Sequence, residues 1–205
     1  MNLEELRLIF ISICVIIVIT PLTPLVMDLL PSKNESFLAL AVLGEENQAE
    51  QYYPDDDPNI EVGERIQWTL YLYNHIGDIE YTSIRVKLLN STMKPPNTTT
   101  LTPSPAPVLM EFRQVLLKNE TRLQRFDLEM IQVTRENDIV RIEALKINGD
   151  TFQTDVASEG SNSFRFVFEL WTYDERSNDF IFSWISDGDK RCAWNQIWFN
   201  ITVLE

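Results

Sequence analysis

The spacing of apolar positions changes once along the chain. Residues 6–30 are apolar on every side of a helix, and beyond them apolar positions recur at every second residue. A helix rises about 1.5 Å per residue, so about 20 apolar residues cross a hydrocarbon core about 30 Å thick. Residues 6–30 therefore predict one membrane-crossing helix. Ser12 and Thr20 are tolerable in lipid, and Asp28 marks the far interface. Pro21 and Pro24 disturb the hydrogen-bond ladder near that interface, where neighbouring groups can satisfy the freed backbone; an extended stalk over residues 22–30 is the alternative.

The later alternation predicts strands. Residues 37–43 form a short apolar run closed by Gly44. In residues 65–74, Ile66, Trp68, Leu70 and Leu72 point one way while Gln67, Thr69, Tyr71 and Tyr73 point the other. Residues 81–89 repeat this, with Ile84, Val86 and Leu88 inward and Ser83, Arg85 and Lys87 outward. Residues 111–117 predict another strand. Residues 126–134 and 139–147 flank a polar turn as a hairpin, with a helix over 139–146 as the local competitor. Phe164, Phe166, Phe168 and Leu170 alternate with Arg165, Glu169 and Trp171. Strands over 179–186 and 196–204 complete the set. Between them, residues 93–108 are rich in Pro and Thr and predict an extended surface loop. About eight short antiparallel strands with frequent turns predict an immunoglobulin-like β-sandwich. The expected fold class is thus all-β, preceded by one transmembrane helix, with an anchor at 1–31 and one extracellular domain at 32–205.

Composition narrows the partners. Net charge is −14 and the isoelectric point about 4.5. That excludes the basic footprint of a nucleic-acid binder, and it disfavours flat docking on anionic headgroups. Cys14 lies in the apolar segment and Cys192 far downstream, so the domain carries no internal disulfide and its core must stabilise it. One histidine in the chain excludes most His-based metal sites and catalytic triads.

Orientation comes from glycosylation sequons. Asn34, Asn90, Asn97, Asn119 and Asn200 each begin an N-x-[ST] triplet. Composition alone gives about two such matches. The excess predicts an extracytoplasmic, glycosylated domain, with Asn90, Asn97 and Asn119 on surface loops and Asn200 inside a strand. The first residues are acidic and no small-residue cleavage site follows, which predicts an uncleaved anchor rather than a discarded signal peptide.

Candidate chemistry is sparse. No nucleophile elbow, zinc-helix motif, phosphate loop or C-x-x-C pair occurs, so the reading is non-enzymatic, with no cofactor and no metal. His75 sits at a strand end, where backbone capping is the plain alternative to a metal or pH-sensing role. Asp55, Asp56 and Asp57 could offer oxygen ligands to calcium, or simply form a solvated charge run. Trp171, Tyr173, Trp184, Trp194 and Trp198 crowd the last third. Trp171 and Tyr173 share a strand face with Arg165, so these three mark a possible interaction face, either exposed or paired with another surface.

Residues 37–44, Gln48-Ala49-Glu50, Tyr53-Pro54, Val62-Gly63-Glu64 and Tyr73-Asn74-His75, followed near the end by Phe166-x-Phe168-x-Leu170-x-x-Tyr173-Asp174 and Trp198-x-Asn200-x-Thr202, run in a fixed order. In that order the chain resembles an archaeal membrane-protein family, domain of unknown function 1616. The resemblance covers about half of the domain, in two blocks at its ends. It implies membrane attachment and an outward-facing sandwich of the kind that binds surface partners, and it implies no assigned activity. Family members carry several N-terminal spans where this chain has room for one, and residues 93–160 are longer and more divergent. The expected protein is a single-pass, membrane-anchored, cell-surface interaction or accessory protein that meets lipid through its helix and protein partners through its domain. A structural subunit of a larger membrane complex and a surface carbohydrate-binding protein are the alternatives.

Overall fold

A computed structural model describes residues 36–159, 163–186 and 188–202. The expected membrane helix and the Asn34 sequon lie outside the described residues. Among the described residues, no helix is long and apolar enough to cross a membrane.

Among the described residues, thirteen strands follow in chain order: β1 (Leu38–Leu43), β2 (Asn59–Glu61), β3 (Arg65–Asn74), β4 (Glu80–Asn90), β5 (Met110–Leu116), β6 (Thr121–Glu136), β7 (Ile139–Ile147), β8 (Asp150–Glu159), β9 (Ser163–Asp174), β10 (Asp179–Ile181), β11 (Trp184–Ser186), β12 (Asp189–Arg191) and β13 (Ala193–Thr202). They form two facing sheets, ordered β1-β3-β6-β7-β8 and β2-β13-β9-β4-β5, with β10 paired beside β9 and β11-β12 as a separate hairpin. All pairs are antiparallel except β2 with β13, which is parallel. The neighbours β3-β6 on one sheet and β4-β9-β13 on the other are the B-E and C-F-G neighbours of an immunoglobulin-type sandwich. Here a hairpin of β7 and β8 extends the first sheet beyond β6.

The alternation read in the sequence builds the interior. Trp68, Leu70 and Leu72 of β3, Ile84, Val86 and Leu88 of β4, and Phe164, Phe166, Phe168 and Leu170 of β9 are all buried between the sheets. Antibody domains join strands B and F by a disulfide. In this chain, Trp68 of β3 meets Phe166 and Phe168 of β9 at ring-centroid distances of 5.9 and 6.3 Å. Trp68 also stacks on Phe126 of β6 at 5.8 Å. The Trp68 indole donates to the Tyr52 carbonyl at 2.6 Å, so its one polar atom is satisfied. After β1, the chain folds back so closely that a Cβ on Gly44 would stand 2.0 Å from the Glu50 carbonyl oxygen, which fixes glycine there.

Residues 139–147 are the strand expected of the hairpin, not the competing helix. Other expectations change. The single strand expected over 179–186 is two: β10 pairs with β9 only as far as Thr172, β13 takes the same edge from Leu170, and Phe182 lies 5.7 Å from Trp171 between centroids. Strand β8 was not expected: Phe152 and Val156 are its few large apolar residues, and it pairs only with β7. Residues 93–108 are a loop as expected, but a docked one. Ser104 within it is 3% exposed, because the loop lies against the outer face of the second sheet.

Candidate functional site

The outer face of the second sheet carries the residues singled out in the sequence. Cross-strand register sets Arg85 of β4 opposite Glu169 of β9, and Glu169 opposite Trp194 of β13. By the same alternation Arg165, Trp171 and Tyr173 share this face with Trp198, which pairs with Arg165.

At its centre is a sealed ion pair. The Lys87 ammonium stands 2.9 Å from Glu169 Oε2, with side chains 4% and 0% exposed. Lys87 also donates to the Ser104 carbonyl at 2.6 Å, while the Ser104 backbone N–H donates to Glu169 Oε1 at 2.7 Å. The Trp171 indole donates to Glu169 Oε2 at 3.0 Å. Buried charges persist when paired and hydrogen-bonded, and this network ties the Pro-rich loop to the sheet.

Two cation–π pairs flank the centre. The Arg85 guanidinium lies 3.8 Å from the Trp171 ring centroid, and that of Arg165 lies 4.5 Å from the Trp198 centroid. Arg165 also donates to the Met93 carbonyl at 2.6 Å and to Gln196 Oε1 at 3.0 Å. Its Nε is buried without a hydrogen-bond partner, and burial pulls its pKa below the usual guanidinium value. On β4 and β5, burial works against the charge of Glu111, but hydrogen bonds from Arg113, Ser83 and Arg85 outweigh it and hold the carboxyl below its ordinary range.

The expected interaction face is therefore largely occupied from within. Arg165 is only 6% exposed. It lies under Trp198 and beside the Met93 carbonyl, so it does not present its charge to solvent. Trp171 is half-buried between Arg85 and Phe182. Tyr173 is half-buried in a cluster with Tyr81 and Phe180, at 5.7 and 5.6 Å. Tyr81 and Val115 stay 38% and 48% exposed at one end of this face, and Trp198 stays 41% exposed at the other. Its backbone carbonyl accepts a hydrogen bond from the Tyr53 hydroxyl, and Tyr52, Tyr53, Gln196 and Trp198 line a small cleft of about 260 Å³. Burial, reinforced by neighbouring Tyr52, pushes the Tyr53 phenol far above its ordinary pKa, so it stays a donor. The signal for Trp198 was in the sequence: Ile197, Phe199 and Ile201 point inward, which sends Trp198 out.

A larger cleft of about 550 Å³ lies on the other side of the Tyr52–Tyr53 arm, against the first sheet. Arg65, Gln67, Asp127, Glu129 and Lys146 contribute to its lining, so acidic and basic groups are mixed.

The remaining candidates separate. His75 donates its backbone N–H to the Phe37 carbonyl at 2.8 Å, and its Nδ1 lies 3.2 Å from both the Tyr73 hydroxyl and Asn119 Oδ1. Asp57 accepts from the Asn59 backbone and side-chain amides at 3.0 and 2.6 Å, which closes a turn. Among the described residues, no group of three or more His, Cys, Asp or Glu could hold a metal ion. Cys192 is a half-buried free thiol whose pKa is raised by burial and then by the charge of Glu169.

The sequons differ in how their amides are used. Asn90 Nδ2 donates to the Ala157 carbonyl at 2.6 Å, and Asn200 Nδ2 to Asn59 Oδ1 at 3.1 Å. Asn97 is exposed, and its side chain accepts through Oδ1 from the backbone amides of Thr99 and Thr100, with no bond from Nδ2 among the described residues. Asn119 is exposed on a turn at φ 57°.

The sequence matches no family model and no curated relative. Among solved structures, the chain is similar to the CARDB domain of the PF1109 protein from Pyrococcus furiosus, in complex with di-metal ions, at 9% identity and a TM-score of 0.41 over 82% of this chain and 90% of that one. It is also similar to a beta-glucosidase from Listeria innocua, in complexes with isofagomine and gluconolactone, at 10% and 12% identity, with a TM-score of 0.38 over 81% of this chain. The chain spans 16% of the length of that beta-glucosidase. The assignment to the immunoglobulin-type sandwiches rests on the strand order and register above.

Proposed function

We propose that this chain is a membrane-anchored cell-surface interaction protein, held by residues 6–30 with its N-terminus inside and its sandwich outside, and that it works without catalysis. The resemblance to the domain of unknown function 1616 family and the sequon excess support this placement. The observation that carries the interaction role is Trp198. It is the tryptophan left most exposed on this face, and it is mounted on buried Arg165 and on Tyr53. Rigid aromatic anchors of this kind dominate binding energy at protein interfaces. A photo-crosslinking residue at position 198, introduced into the full chain in its native membrane, is expected to give a discrete protein adduct. Trp198→Ala is expected to reduce recovery of the same partner at least tenfold, with the melting temperature unchanged. Undiminished recovery from the Trp198→Ala protein would contradict the assignment.

The cleft beside Tyr52 and Tyr53 favours a second reading, a surface carbohydrate-binding protein. Its volume of about 550 Å³ falls within the usual range for small-ligand sites. Its mixed polar lining suits a neutral hydroxylated ligand. Glycan-array binding lost in Gln67→Ala would support it, and an array with no bound glycan would end it.

A further inference from the structure

We propose that the end of the sandwich where the chain enters at Ser36 rests on the bilayer surface, through Ile79, Leu117 and Ile185; this deepens the anchored reading above and depends on it. Register defines that end. Leu38 of β1 pairs with Asn74 of β3, Tyr73 with Thr121 of β6, and Glu80 of β4 with Leu116 of β5. Hydrogen bonds knit these segments into one surface. Asn74 Nδ2 donates to the carbonyls of Asp78, Leu116 and Leu117 at 2.7 to 3.2 Å. The Ser36 and Ser186 hydroxyls are 2.7 Å apart, which brings the β11-β12 hairpin to the same end.

This end exposes large apolar side chains among its charged ones. Ile79, Leu117 and Ile185 are 65%, 55% and 66% exposed, and they come from three separate segments. Ile79 and Leu117 stand one step beyond the Glu80–Leu116 pair, so they are cross-strand neighbours. Tyr81 and Val115, paired on the same face, continue the patch at 38% and 48% exposure. Exposed Lys118 and Lys190 adjoin it, with exposed Asp78 and Asp189 beside them; the lysine stems let their charges reach headgroups from an apolar base.

Chain length favours the bilayer as the occupant. Leu30 closes the apolar segment and Ser36 begins the sandwich. Six backbone steps reach at most about 22 Å. A headgroup layer takes about 5–8 Å of that distance. The apolar tips of this end are thus tethered within a short reach of lipid.

The test uses the full chain with Cys14→Ser and Cys192→Ser in phosphatidylcholine nanodiscs. A nitroxide is placed in turn at Ile79→Cys, Leu117→Cys and Ile185→Cys. Val62→Cys, in the turn between β2 and β3 at the opposite end, serves as the aqueous reference. At the three sites, collisions with dissolved oxygen are expected to exceed those with a water-soluble nickel chelate, and at Val62 the order is expected to reverse. Labels as open to nickel at all three sites as at Val62 would overturn the proposal while leaving the anchor intact. Labels shielded in native membranes but open in pure-lipid discs would overturn it in favour of a protein partner. A chain that does not stay with the disc would refute the anchored reading itself, and the proposal with it.

Discussion

Lys87 on β4 and Glu169 on β9 form an ion pair at 2.9 Å that water does not reach, and the Pro-rich loop closes over it. The loop's contribution is Ser104, which gives its carbonyl to the lysine and its N–H to the glutamate. Breaking one side of a buried pair leaves an uncompensated charge and costs about 3–5 kcal/mol, whereas apolar replacement of both partners is far milder. Lys87→Met is therefore expected to lower unfolding free energy by about 3–5 kcal/mol, with Lys87→Met/Glu169→Leu recovering much of that loss. Urea unfolding of the four corners of this cycle measures it. The single variant should also open residues 93–108 to proteolysis.

Asn74 should govern the chain-entry end. Its side chain serves three carbonyls and accepts from the Ile76 N–H at 2.9 Å. Stranding buried polar groups costs about 1–3 kcal/mol. Asn74→Ala is expected to cost that much, with amide exchange accelerating in residues 75–79 and 117–120 and unchanged in β9.

Acid should act through Glu111. Its folded carboxyl sits below its ordinary value of 4.5. A depressed folded pKa contributes stability above the unfolded pKa and loses it as pH falls through the folded pKa. Wild type is thus expected to exceed Glu111→Gln in urea midpoint at neutral pH, with the difference shrinking below about pH 4.5. Glu80 behaves oppositely. Burial, then the charge of Asp78, raises its carboxyl. Its contribution is present at low pH and lost as pH rises through the folded pKa, so Glu80→Gln should gain on wild type toward neutral pH.

Glycosylation should follow amide availability. Asn97 is expected to be modified, because its exposed turn leaves Nδ2 unengaged among the described residues. Asn90 and Asn200 already donate through Nδ2. Asn119 stands two residues beyond Leu117, at the end assigned to the bilayer, and is expected to stay bare. Site-resolved glycopeptide mass spectrometry checks this; modified Asn119 with bare Asn97 would reverse it.

The interior was legible because alternation survives wherever one face of a strand is buried, as at Trp68, Leu70 and Leu72 or at Phe164, Phe166 and Phe168. The outer face was not. Arg85, Lys87, Arg165 and Glu169 read as solvent-facing because charge normally marks exposure. Nothing local in residues 93–108 tells that the loop returns to cover them. For the same reason the face of Arg165 and Trp171 read equally as exposed or as paired with another surface, while Trp198, whose inward neighbours are Ile197 and Phe199, is the tryptophan left exposed. Strand β8 escaped because an edge strand with few large apolar residues carries little period-two signal.

The proposed display of the sandwich outside the cell on an uncleaved anchor is open to a decisive test, protease treatment of intact cells followed by alkaline carbonate extraction of their membranes. External protease is expected to remove the domain recognised by an antibody to residues 36–205, and without protease the full chain is expected to stay in the carbonate-washed pellet. A domain protected until the cells are lysed, or a chain released by carbonate, would contradict it.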